Sequence, residues 1–230
     1  MPLTSVLSVE IRPDRLRQYA ELVQSLAARA AEQKEEFHWT AHQTTFGELG
    51  TMYFVSEDPD YAGLATRGTT QELILRVLGD DEGVRTLDSF SECIVSQRLT
   101  VSVDRPDLSY PPEPMNRIFP SAVVTEVRIR AGGRDALEEL VRKIAEAIPK
   151  VDDPMRLTTY QVVLGNLSEI WTIRPFEDLS ELDDQLVVAE LLNQAFGVAE
   201  GGLIFRTGLE AIEEMTRQVT VYREDLSNPG

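Results

Sequence analysis

The sequence predicts an α+β fold of two tandem ferredoxin-like (βαββαβ) repeats, and three features carry that expectation. The first is a duplication. Arg105-x-Asp107-Leu108-Ser109-x-Pro111 recurs as Arg223-x-Asp225-Leu226-Ser227-x-Pro229. Sliding the chain along itself by the same interval, Arg105 onto Arg223, brings the halves into register without a gap, with roughly a quarter of positions identical. The second is the order of hydrophobic periodicities, strand-like, helical, twice strand-like, helical and strand-like, which occurs once in each half. The third is a glycine turn between paired strand patterns, Gly47-Glu48 in the first half and Gly165-Asn166 in the second.

Each element has a local reason. Thr4 to Ile11 is a β-branched run, and Pro13 stops it while supplying the φ that suits a first helical turn. Leu16, Tyr19, Val23, Leu26, Ala27 and Ala30 then recur at helical spacing, as Leu137, Leu140, Val141, Ile144, Ala145 and Ile148 do in the second half, where Pro149 ends the pattern. Hairpins follow, Phe37 to Phe46 with Leu49 to Ser56, and Met155 to Leu164 with Leu167 to Arg174. Acidic, proline-marked segments lead into helical patterns at Gln71 to Leu78 and Gln185 to Phe196, each followed by a glycine break and a further helix. Ile94 to Val103 and Met215 to Tyr222 close the halves as strands. The expected domains are 1–112 and 121–230, joined by a proline-rich linker over 113–120.

Composition narrows the function. A net charge of −17, shared almost evenly by the halves, leaves no basic surface for nucleic acid or anionic lipid. No apolar run reaches the length of a membrane span, the N-terminus lacks the pattern of a signal peptide, and the single cysteine, Cys93, rules out an internal disulfide. The expectation is a cytoplasmic protein with no nucleic-acid or membrane partner.

A four-stranded sheet with helices on one side has a second face that must be covered or wetted. Tandem copies suggest that the two sheets pack as a pseudo-dimeric α+β barrel. Strand alternation assigns Leu7, Val9, Ile11, Phe37, Trp39, Ala41, Val127, Ile129, Met155 and Leu157 to the helix side. The far side receives Ser8, Glu10, Arg12, His38, Thr40, His42, Arg98, Thr100, Glu126, Arg128, Arg130, Arg156, Thr158 and Tyr160. This polar face is either solvated with its charges paired, or the lining of a ligand site. Arg12, Arg98, Arg128, Arg130 and Arg156 are the candidates for binding an anion.

His38 and His42 are the only histidines, and the second half has Arg156 and Tyr160 in their places. On a strand, four residues span about 13 Å, too far for one metal ion. No metal or cofactor is therefore expected, and either histidine is left as a lone acid or base, with Tyr160 assisting, or as a hydrogen-bonded structural residue. Trp39 and Trp171 read as core residues, and Cys93 as a buried inert thiol.

The hairpin HWTAHQTTFGELGTMYFVSEDPDY and the closing LTVSVDRPDLSYP resemble the NIPSNAP-like members of the dimeric α+β barrel superfamily. The shared pattern is a short strand ending in Ile11-Arg12-Pro13, an aromatic-bearing strand, a glycine turn, an aromatic strand leading to an acidic segment, then helix and strand. That family's usual Arg and Tyr in the first strand are replaced here by Leu7 and Val9, and by Thr125 and Val127. The resemblance implies a barrel of a superfamily containing cofactor-independent monooxygenases, isomerases, decarboxylases and haem-handling enzymes. Two functions follow as expectations: a binding protein for a small anionic organic ligand, or a cofactor-independent monooxygenase or isomerase. Homo-oligomers are an expected form of either.

Overall fold

The computed structural model describes residues 2–113 and 117–229, so Pro114 to Asn116 of the expected linker lie outside it. The chain divides into two compact units, one of Met1–Val103 with Val221–Gly230, the other of Asp104–Thr220. These are not the two sequence repeats, because the segment that ends each repeat belongs to the other unit.

Unit 1 contains β1 (Leu3–Ile11), α1 (Leu16–Gln33), β2 (Thr40–Phe46), β3 (Thr51–Asp58), α2 (Tyr61–Arg67), α3 (Thr70–Leu78), α4 (Asp80–Cys93) and β4 (Ile94–Asp104). Its antiparallel sheet has the order β4-β1-β3-β2, the ferredoxin-like arrangement expected from the sequence. Val9, Ile11 and Met52 of the sheet meet Tyr19, Val23, Leu26, Ala27 and Ala30 of α1, with Leu73, Ile74 and Val77 of α3 completing the core. Helix α1 ends where Lys34 turns left-handed (φ 56°) and its N–H returns to the last carbonyls. Thr69 and Glu72 cap α3 reciprocally, the Thr69 N–H reaching the Glu72 carboxylate at 2.6 Å.

Unit 2 contains β5 (Ser121–Ile129), α5 (Arg134–Lys150), β6 (Thr158–Leu164), β7 (Glu169–Phe176), α6 (Val188–Phe196), α7 (Val198–Glu210) and β8 (Ile212–Tyr222), with sheet order β8-β5-β7-β6. Val127, Ile129 and Ile170 pack on Leu137, Leu140, Val141 and Ile148 of α5 and on Leu191 and Leu192 of α6. Helix α5 runs one residue past Pro149.

The duplicated Arg-x-Asp-Leu-Ser motif explains how each unit is finished. In unit 1, Leu226 is fully buried in the core and Asn228 exchanges both backbone hydrogen bonds with Trp39 at 2.9 Å. The Trp39 indole N–H donates to the Leu226 carbonyl at 2.8 Å, and Ser227 Oγ accepts the Ala41 N–H at 2.9 Å. Arg223 is held planar against Asp225 while reaching Gln43. Unit 2 repeats the arrangement with Leu108, Tyr110 against Leu157, Ser109 Oγ on the Thr159 N–H at 3.0 Å, and Arg105 between Asp107 and Gln161. Each motif fills a core position and pairs the backbone just before β2 or β6. No helix among the described residues is long and apolar enough to cross a membrane.

Candidate functional site

The helix-free face of unit 1 is set by strand register. Arg98 of β4 stands opposite Ser8 of β1, Ser8 opposite Tyr53 of β3, and Tyr53 opposite His42 of β2. At about 4.8 Å per strand these four residues form a polar row some 15 Å long. The adjacent row is Thr100, Val6, Val55 and Thr40. Two hydroxyls on this face are exceptional: Ser8 Oγ and Thr100 Oγ1 are shielded from solvent yet make no hydrogen bond among the described residues, and Thr100 as a whole is 1% exposed. Leaving a buried hydroxyl unpaired costs about 1–3 kcal/mol, so a pair on one face marks a place that a polar group can satisfy.

His42 is half-buried at the other end of the row, two strands from Ser8 with Tyr53 between them. Its Nε2 lies 3.1 Å from Thr40 Oγ1, and its ring stacks at a tilt on Tyr222, 5.7 Å between centroids. Burial lowers its pKa to about 4. The imidazole is thus neutral across the physiological range, able to donate and accept a hydrogen bond but not to carry the reserve proton expected of a histidine titrating near neutrality.

The remaining predicted residues are dispersed. His38 is exposed and precedes β2, outside any strand. Tyr160 occupies the position in unit 2 that His42 has in unit 1, opposite Trp171. Trp39 is in the core of unit 1, as expected, but Trp171 is not in that of unit 2. It is 3% exposed on the helix-free face, because Ile170 takes the helix side of β7 and alternation turns Trp171 away. Arg12 is exposed just beyond β1. Arg128 pairs with Glu213, at 3.6 Å, and with Glu214, and Arg130 donates to the Ile212 carbonyl at 3.0 Å. Arg156 is exposed, its guanidinium 5.9 Å from the centre of the Phe119 ring.

Register sets Thr158 level with Val124, so Arg156 and Arg128 lie about 20 Å apart along the strands. The five arginines do not converge within either unit, and Arg98 alone joins the row with His42. Tyr53, 5% exposed, was missed by the sequence reading, although alternation along Thr51 to Asp58 is the signal that finds it.

No group of three His, Cys, Asp or Glu able to hold a metal ion occurs among the described residues. Haem iron takes a His, Cys, Met or Tyr axial ligand. Here His42 Nε2 lies in hydrogen-bond reach of Thr40 and Cys93 is fully buried in the core, its thiol pKa pushed up by burial, so neither of these two side chains is placed as a free axial ligand.

No family model matches the chain, and no curated protein is similar to it in sequence. Solved structures are similar in fold. An anthrone oxidase-like protein is 14% identical with a TM-score of 0.61, over 100% of this chain and 94% of that one. A "putative monooxygenase" of Lactobacillus acidophilus NCFM is 8% identical with a TM-score of 0.56, over 96% and 93%. A point mutant of the chlorite dismutase of Candidatus Nitrospira defluvii is 11% identical with a TM-score of 0.56, over 98% and 93%. Likeness at this identity speaks for fold alone: the chain has the α+β fold of the dimeric α+β barrel proteins, built from ferredoxin-like repeats.

Proposed function

We propose that the protein holds a small anionic organic molecule on the helix-free face of unit 1. The observation that carries this reading is the pair of buried, unpaired hydroxyls of Ser8 and Thr100 on the face that also holds the neutral His42, two strands from Ser8. Ser8 and Thr100 donate to the anionic group, His42 presents a neutral ring to the organic body, and Arg98 at the end of the row supplies positive charge. The NIPSNAP-like pattern of the hairpin is the affiliation within the barrel superfamily that we favour.

A thermal-shift screen of small aromatic carboxylates and phenols tests the proposal. A compound that stabilises the wild type is expected to bind the Ser8→Ala/Thr100→Val variant about tenfold more weakly, the worth of one or two hydrogen bonds to a charged group. The ligand-free variant is expected to be as stable as wild type, since it loses no hydrogen bond. Undiminished binding by the variant overturns the assignment.

A second reading is favoured by the fold likeness to an anthrone oxidase-like protein: a cofactor-independent monooxygenase or isomerase with His42 as the acid or base that faces the bound molecule. His38 and Tyr160 are the further acid–base candidates in that reading. Unchanged turnover of an identified substrate by His38→Gln/His42→Gln and by Tyr160→Phe contradicts it. We also propose a cytoplasmic location, for which the single cysteine of the sequence speaks, and self-association, since Val95 and Leu99 of β4 are each 56% exposed and a second copy would cover them. Sedimentation as a monomer at micromolar concentration counts against self-association.

A further inference from the structure

The two units differ most sharply on the helix-facing side of the sheet, at the ends of β3 and β7. In unit 1 this corner holds one neutralised ion pair. Arg67, at the end of α2, lies 2.9 Å from the carboxylate of Asp58, their side chains 13% and 5% exposed. Its guanidinium also contacts the hydroxyls of Ser5 and Ser56 and lies 4.8 Å from the centre of the Phe37 ring. Leu7 and Leu99, opposite one another on β1 and β4, are apolar neighbours on this face. A buried cation here is matched by a buried anion.

The duplication shows what unit 2 has changed. Phe176 stands in the place of Asp58, Gln185 in that of Arg67, Arg174 in that of Ser56, Arg217 in that of Leu99, Thr125 in that of Leu7 and Thr172 in that of Phe54. The acid is gone, there are two cations instead of one, and two apolar positions have become hydroxyls.

These residues are brought together by unit 2. Arg174 is opposite Val123, and Thr125 is opposite Thr172. Arg174 donates from Nη2 to Gln185 Oε1, while its Nε is buried without a partner. Arg217 reaches Thr125 Oγ1 from its Nε at 3.3 Å. Among the described residues neither arginine makes an ion pair, and burial together with the neighbouring Arg217 charge lowers the pKa of Arg174. The carboxylate that acts on Arg174 from a distance, Asp153, has its oxygens occupied by the Met155 and Leu186 N–H groups, each at 2.8 Å.

We propose that this corner of unit 2 is a binding site for an organic carboxylate carried on an apolar body, read by Arg174 and Arg217. The two guanidinium groups and the Thr125 and Thr172 hydroxyls supply donors with no acceptor acid among them, the chemistry of an oxyanion site. Val123 and Phe176, 5% and 2% exposed, set Arg174 in apolar surroundings, which disfavour a strongly hydrated inorganic anion relative to an organic acid. The site is separate from the one proposed on unit 1 and does not depend on it.

Benzoate, with inorganic phosphate as comparator, is the probe. Titrated into the full-length protein under amide NMR, benzoate is expected to shift Thr125, Thr172 and Gln185, and phosphate to bind at least about tenfold more weakly. Gln185→Glu places a carboxylate where Gln185 Oε1 already accepts from Arg174, so it is expected to raise the melting temperature and to weaken benzoate about tenfold or more. Arg174→Met is expected to abolish the shifts while the circular dichroism spectrum stays that of the folded protein. Ser8→Ala/Thr100→Val is expected to leave them unchanged, which separates this site from the face of unit 1. Absence of benzoate binding at these amides, phosphate binding as tight as benzoate, or wild-type affinity in Gln185→Glu each overturns the proposal.

Discussion

The exchange of terminal segments makes Leu226 a core residue of unit 1 although more than two hundred residues separate it from β1, and Leu226→Ala tests that placement quantitatively. The side chain is fully buried in a cluster with Trp39, Val23 and Ala27. Truncation removes its transfer free energy and leaves a cavity that the Trp39–Leu226 hydrogen bond of 2.8 Å keeps from collapsing. Leucine-to-alanine changes in such sites cost about 2.7–5 kcal/mol, and a value near 3 is expected here. For a chain of this size that lowers the melting temperature by roughly 6–12 °C.

The assay is urea denaturation followed by tryptophan fluorescence in a Trp171→Phe background, which leaves Trp39 as reporter. The Leu226→Ala transition is expected at lower urea with an unchanged slope. A double-mutant cycle with Trp39→Phe, read by far-ultraviolet circular dichroism because that variant has lost the fluorescent reporter, is expected to give a coupling of at least about 0.5 kcal/mol. A loss below about 1 kcal/mol, or no coupling, would mean that Leu226 is not a packed core residue of unit 1.

Three further predictions follow from particular contacts. The folded-state pKa of His42, about 4, lies below its ordinary value of 6.5. The unfolded chain therefore binds the extra proton first, and stability is lost as pH falls from about 6.5 to 4, by up to about 3 kcal/mol, and levels off below. Denaturation at pH 7 and pH 4.5 should show a pH-dependent loss that is smaller in His42→Gln. Asp58→Asn leaves Arg67 buried without its counter-charge and is expected to cost about 3–5 kcal/mol, read by chemical denaturation, with Asp58→Asn/Arg67→Met recovering part of it. In Gly201→Ala the new methyl would sit 2.5 Å from the Leu192 carbonyl oxygen, where backbone cannot yield. The α6–α7 contact is expected to loosen at about 1–3 kcal/mol, read as a lower melting temperature.

The fold was largely legible because the duplication offered every element twice and the alternation of Leu7, Val9 and Ile11 matched that of Val127 and Ile129. What sequence could not supply was long-range pairing. Phe37 to Trp39 reads as the start of a strand by alternation, yet β2 begins at Thr40, since the Phe37 N–H is taken by the Glu35 carboxylate and Trp39 pairs with Asn228. The Arg-x-Asp-Leu-Ser motif stood out as a repeat, but its role was hidden because its partners are in the other half of the sequence. Helix α2 falls in a segment that the sequence marks only as an acidic, proline-bearing lead-in, although Asp60, which caps it by accepting the Gly63 N–H at 2.8 Å, is a signal for its start.

The candidate site divided along the same line. Ser8, His42, Arg98 and Thr100 were assigned to the correct face by alternation, whereas their order in one row depends on strand register. The arginines grouped by residue type proved to be spread along the strands, and Arg128 and Arg130 are engaged locally. Arg174 and Arg217 carry no sequence signal of their own, because a missing counter-charge becomes visible only when Phe176 is set against Asp58.

Native mass spectrometry of freshly purified wild-type protein beside the Ser8→Ala/Thr100→Val variant tests the proposed ligand face most directly. A stoichiometric small organic acid carried by the wild type, identified after release and depleted from the folded variant, is expected. A molecule retained equally by both proteins, or a wild type that neither carries nor takes up an organic anion, would contradict it.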